Sequence, residues 1–119
     1  MTFDSQNEYA TAMVVSLDDE PLASSQKILL QITTISRPYG WETDEVMHND
    51  RRMNRILDTG TPPWSVANTH MTITINNPNI TKATLTDTNF YPAGEIPVTR
   101  NGDAVEITLP RNAMYVVLQ

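Results

Sequence analysis

The chain contains no cysteine. That absence removes disulfides, thiolate nucleophiles and cysteine-ligated zinc together, so stability has to come from core packing. Lysine is nearly missing as well: Lys27 and Lys82 are the only two, in a chain of formal net charge -6. With no basic stripe anywhere, such a chain repels a phosphate backbone, and neither nucleic acid nor an anionic membrane is an expected partner. No apolar run approaches the roughly 18 to 20 residues that span a bilayer. The opening MTFDSQNEYA also lacks the charged-then-apolar pattern of an export signal. The expectation is a domain excised from a larger multidomain protein whose export signal lies far upstream, Met1 being only an expression start.

What the chain has is strand and turn chemistry. Charged residues make up 18% of it, below the usual share of about 25%, while Thr, Asn and Val are plentiful. Its 119 residues suit one domain over 1–119, burying roughly 65% of the unfolded surface in an ordinary core. Glu8 to Ser16 reads as a first strand that ends in the turn cluster Leu17-Asp18-Asp19-Glu20-Pro21. Gln26 to Thr34 alternates Ile28, Leu30 and Ile32 with Lys27, Gln31 and Thr33, with Leu29 falling on the other face, and His70 to Asn76 repeats the pattern with Met71, Ile73 and Ile75 inward. Asn76-Asn77-Pro78-Asn79 stops that strand.

Short strands are predicted at Thr81 to Thr86 and Glu95 to Thr99, with Pro92 and Gly94 as breakers between them. Asn101-Gly102 then predicts a type I′ hairpin, because both central residues of that turn need positive φ. Its second arm, Ala104 to Leu109, places Val105, Ile107 and Leu109 on one face, and Met114 to Leu118 closes the chain. About seven strands at close spacing predict an all-β fold, an immunoglobulin-like antiparallel β-sandwich.

Ser36 to Asn68 breaks this rhythm, and a structureless loop of that length does not belong in a compact domain. One expectation is a short helix from Asp44 to Leu57. Asp44 and Glu45 stand at its start and Arg51, Arg52 and Arg55 near its end, as the macrodipole favours, with Val46, Met53 and Leu57 on one face. The rival is a strand around Met53 to Leu57.

Candidate chemistry is sparse. His48 and His70 are far apart with no third ligand at a metal spacing, no His-Glu-x-x-His pattern occurs, and no serine sits in a Gly-x-Ser-x-Gly elbow. Asp18, Asp19 and Glu20 crowd one turn but lack the alternating ligands, Gly and distal Glu of a calcium loop, so a solvated turn is expected. Neither a metal, a cofactor nor a catalytic residue is predicted. Asn79-Ile80-Thr81 is a formal glycosylation sequon of a kind that arises often by chance. The aromatic residues Tyr39, Trp41 and Trp64 all fall in the long segment, where flat rings can either pack or stack on the apolar face of a sugar. These three are the candidate carbohydrate-binding residues.

The segments Val14-Val15-Ser16-Leu17-Asp18, Pro21-Leu22, Ser25 and Lys27 to Gln31 resemble the pattern S-L-D-x-x-P-L-x-x-S-x-K-x-L-L near the start of the C-terminal β-sandwich of many TIM-barrel glycoside hydrolases and related secreted bacterial proteins. Gly60 to Val66, Leu85-Thr86-Asp87 with Phe90-Tyr91, and Thr108-Leu109-Pro110 with Tyr115 to Leu118 are similar to later stretches of such domains. The resemblance spans nearly the whole chain, and its motifs are mostly turns and core strands. It implies a secreted or periplasmic parent and a non-catalytic accessory role in which the sandwich packs beside the parent's catalytic domain. A second expectation is an independent carbohydrate-binding module that meets polysaccharide through exposed aromatic rings.

Overall fold

In the computed structural model, which describes residues 1–119, the chain forms eleven β-strands and no helix. It divides into two compact units: a body, Met1–Thr34 with Asn68–Gln119, and a ribbon, Ile35–Ala67. Nine strands belong to the body. They are β1 Thr2–Ser5, β2 Ala10–Ser16, β3 Ile28–Thr34, β6 Met71–Asn76, β7 Ala83–Thr86, β8 Pro92–Ile96, β9 Thr99–Asn101, β10 Ala104–Thr108 and β11 Tyr115–Leu118. The remaining two, β4 Ser36–His48 and β5 Arg51–Val66, pair only with each other. The all-β expectation therefore holds, with more strands than the seven foreseen.

The body has two antiparallel sheets, ordered β1-β6-β10-β9 and β2-β3-β11-β7-β8. Period-2 alternation puts one face of each on a shared core. Ile28, Leu30 and Ile32 of β3, with Val116 and Leu118 of β11, meet Met71, Ile73 and Ile75 of β6 and Val105 and Ile107 of β10 in one buried cluster. Each fully buried aliphatic side chain contributes about 1.5–3 kcal/mol relative to exposure, which lets a body without disulfides hold together.

The loop from Leu17 to Lys27 is held by polar groups. Asp18 accepts hydrogen bonds from the Ser25 hydroxyl (2.7 Å), the Ser16 hydroxyl (2.7 Å) and the Gln26 N–H (2.7 Å). These donors, Ser25 foremost, favour the ionised form and hold the carboxyl well below the usual carboxylate range. The buried Asn77 side chain donates to the carbonyls of Leu22 and Ser25, both at 2.8 Å, and accepts from the Asn79 N–H. The Asn79 amide of the formal sequon donates in turn to the Ser24 carbonyl. Ser16, Asp18, Leu22 and Ser25 of the S-L-D-x-x-P-L-x-x-S pattern thus have local structural work: they close this loop over the end of β6.

Two turn expectations need correction. The two-residue loop before β10 is Gly102-Asp103, not Asn101-Gly102: Asn101 pairs with Ala104, and of the two expected residues only Gly102 has positive φ, at 64°. A left-handed Gly at the first loop position followed by a residue of ordinary φ is the type II′ preference, so the glycine sets the turn and Asn101 stays in the strand. The predicted strand Glu95 to Thr99 is also split. Glu95 and Ile96 pair with β7 in one sheet, Thr99 pairs with β10 in the other, and Pro97, which cannot donate to a ladder, stands where the chain changes sheets.

The ribbon corrects the helix expectation for 44–57. Residues of that segment form β4 and β5, joined by Asn49-Asp50 with φ of 49° and 61°. Two left-handed residues in a two-residue loop are the type I′ requirement, and Asn and Asp tolerate that region best after Gly. The charges that suit a macrodipole serve cross-strand pairing instead. Asp44 lies directly opposite Arg55, with oxygen and nitrogen 3.0 Å apart, and Glu45 reaches Arg52 diagonally at 3.3 Å. Nearer the base, Gly60 has φ of 68°, and a Cβ there would stand 2.5 Å from the Tyr39 carbonyl oxygen, so no other residue fits.

Candidate functional site

The ribbon carries all three aromatic residues that the sequence singles out. Its register sets Tyr39 opposite Thr61, Trp41 opposite Thr59 and Trp64 opposite Pro38. Tyr39 and Trp64 are 68% and 64% exposed, while Trp41 is partly covered by the Arg37 guanidinium, 5.1 Å from its ring centroid. Pro38 and Tyr39 are adjacent in β4, where side chains alternate, and an irregularity in the pairing falls between them. No two of the three rings are in contact with each other. They are single rings along a ribbon, Tyr39 and Trp64 exposed and Trp41 half-buried, not one stacked cluster.

Not one residue of 35–67 is buried. Met47, Met53, Ile56, Leu57 and Val66 are all at least half exposed beside Tyr39 and Trp64. Each strand has hydrogen bonds on one edge only, so two long backbone edges remain open. A two-stranded ribbon is marginally stable by itself in water, and this one cannot bury its own apolar residues. The pairs Asp44–Arg55 and Glu45–Arg52 are solvent-exposed, and each contributes at most about 1 kcal/mol.

The body offers a second surface. Residues facing away from the core differ between its sheets. On β1, β6 and β10 they are Thr2, Asp4, Thr72, Thr74, Asn76, Ala104, Glu106 and Thr108, all polar except Ala104. On the other sheet Val15, Leu29 and Val117 form one outward row across β2, β3 and β11, and Met13, Gln31 and Tyr115 form the next. Phe90 stands over this face with its ring 5.0 Å from that of Tyr115. One end of the face forms a groove of about 290 Å³ lined by Lys27, Lys82, Thr84, Thr86, Phe90, Pro92, Val117 and Gln119.

The other polar candidates take ordinary places. His48 ends β4 in the ribbon, and His70 immediately precedes β6 in the body, where its N–H donates to Asn7. Asp18 is engaged by its own loop, and Asp19 beside it is the left-handed residue of that turn, with φ of 59°. No family model, curated protein or solved structure matches this chain.

Proposed function

We propose that this chain is a non-catalytic accessory β-sandwich domain of a secreted polysaccharide-degrading glycoside hydrolase, and that its ribbon docks on the parent's catalytic domain. The supporting observation is the ribbon itself: strands of 13 and 16 residues with apolar side chains exposed along them and nothing buried. Exposed apolar surface of this extent on a soluble domain marks an interaction site. The similarity of the body's loop and strand motifs to sandwich domains beside TIM barrels supplies the kind of partner. Amide hydrogen exchange tests the reading. In the isolated chain the β4 and β5 amides should exchange quickly, and in the full-length parent they should slow by at least about tenfold. Equal exchange in both settings would remove the docking role.

The exposure of Tyr39 and Trp64 favours a second reading, an independent carbohydrate-binding module that stacks sugar rings on the ribbon. Titration of the isolated chain with algal and plant polysaccharides separates the two. Binding that is lost in Tyr39→Ala and Trp64→Ala supports the module, and binding that survives in both rejects the ribbon as its site.

A further inference from the structure

The chain's only two lysines come from positions 55 residues apart in sequence, yet the fold sets them in one row. Gln119 and Lys82 exchange both backbone hydrogen bonds, Gln119 N–H to Lys82 at 2.8 Å and Lys82 N–H to Gln119 at 2.7 Å. On the other side of β11, Leu118 pairs with Ile28, so the next position of that ladder brings Gln119 beside Lys27. All three share the parity of the outward residues Leu29, Val117 and Thr84 and therefore point away from the core. At one strand spacing each, the lysine backbones stand about 10 Å apart with Gln119 between them. Neither ammonium group has an ion-pair partner, although the chain is strongly acidic. Glu95 of β8 lies on this face, opposite Thr84.

Phe90 closes the groove on the far side. Its φ of 65° lies in the left-handed region, uncommon for a bulky side chain and a source of backbone strain. A tight turn enforces it: the Asp87 carboxylate accepts from the N–H groups of Asn89 (2.8 Å) and Tyr91 (3.0 Å), and the Phe90 N–H donates to the Asp87 carbonyl (3.0 Å). The strained turn holds an exposed ring at the groove rather than in the core.

We propose that this groove binds an anionic sugar residue, a uronate or a sulfate ester, of a polysaccharide. Lys27 and Lys82 take the charged group, Gln119 and the Thr84 hydroxyl take ring hydroxyls, and Phe90 lies against the apolar face of the ring. Two unpaired cations select for charge, hydroxyl and amide groups suit a polyhydroxylated ring, and the volume is that of a short oligosaccharide subsite rather than of a protein surface. The proposal rests on the polysaccharide setting of the preceding reading, but it concerns the body and not the ribbon.

The test is a titration of the whole chain, followed by amide chemical shifts. The probes are an oligouronate, a sulfated oligosaccharide, their neutral counterpart and inorganic sulfate at matched ionic strength. At least one charged oligosaccharide should shift Lys27, Lys82, Thr84, Val117 and Gln119 and bind at least about tenfold more tightly than the neutral one or sulfate alone. The Lys27→Gln/Lys82→Gln double variant should lose at least about tenfold in affinity at unchanged Tm. Phe90→Gly, which relieves the backbone strain and removes the ring, should weaken binding without unfolding the chain. Equal binding of neutral and charged oligosaccharides, a response to sulfate as strong as to the sugars, or undiminished binding by the double variant would overturn the proposal. Shifts confined to Tyr39 and Trp64 would also overturn it while supporting the carbohydrate module on the ribbon. Loss of docking by the ribbon in the parent protein would leave the groove untouched, so the two ideas fail separately.

Discussion

The body and the ribbon are built from the same β-structure and solve opposite problems. Each body strand that contributes to the core sends alternate aliphatic residues into it, and sixteen hydrophobic residues there are buried. The ribbon has longer strands, more open backbone edge and no buried residue at all. Length of strand does not confer stability; a second layer does. The body supplies its own second layer, whereas no residue of the ribbon is buried.

Substitution of matched residues should expose that contrast most strongly. Ile107→Ala, in the centre of the body, should lower unfolding stability by about 2–5 kcal/mol, whereas Ile56→Ala in the ribbon should stay within about 0.5 kcal/mol, as read by urea denaturation of the isolated chain. Similar losses at both sites would erase the distinction between the two units. Next in size is Asn77→Ala, which leaves the Leu22 and Ser25 carbonyls without their donor and should cost about 1–3 kcal/mol, with faster exchange across the Leu17 to Lys27 loop.

Asp18→Asn should also destabilise, and its effect should depend on pH. The folded carboxyl is held below its ordinary value of 3.8, so its contribution is present above that pH and disappears as pH falls through the folded value. The Tm difference between wild type and variant should therefore be constant near neutrality and shrink on acidification. A difference that grows in acid would show that the hydrogen bonds of Ser25 and Ser16 do not favour the ionised form. Smallest of all is Asp44→Asn, which removes one exposed ion pair of the ribbon and should change global stability by less than about 1 kcal/mol in the isolated chain.

The same division governs what could be read from sequence. Body strands were legible wherever one face is buried, because Ile28, Leu30 and Ile32 or Met71, Ile73 and Ile75 can only alternate when a core lies on one side. β1 left no such signal: its four residues are all exposed and it is held by its ladder to β6. Pro92 reads as a breaker yet opens β8, which an edge strand permits at its first position. In the ribbon, acids before arginines suit a helix dipole and a hairpin equally, and only the left-handed pair Asn49-Asp50 decides between them. The aromatic candidates were visible as a local concentration, although their separation along the ribbon was not. The lysine row could not be seen at all, since positions 27, 82 and 119 become neighbours only through the strand order β3-β11-β7.

Residue-resolved amide exchange of the isolated chain, taken across both units in one experiment, tests the central contrast most directly. Amides of β3, β6, β10 and β11 should exchange only with global unfolding, while those of β4 and β5 should open with free energies near zero despite their cross-strand hydrogen bonds. Protection of the ribbon equal to that of the body would contradict this account, because it would mean that the ribbon is stable without a partner.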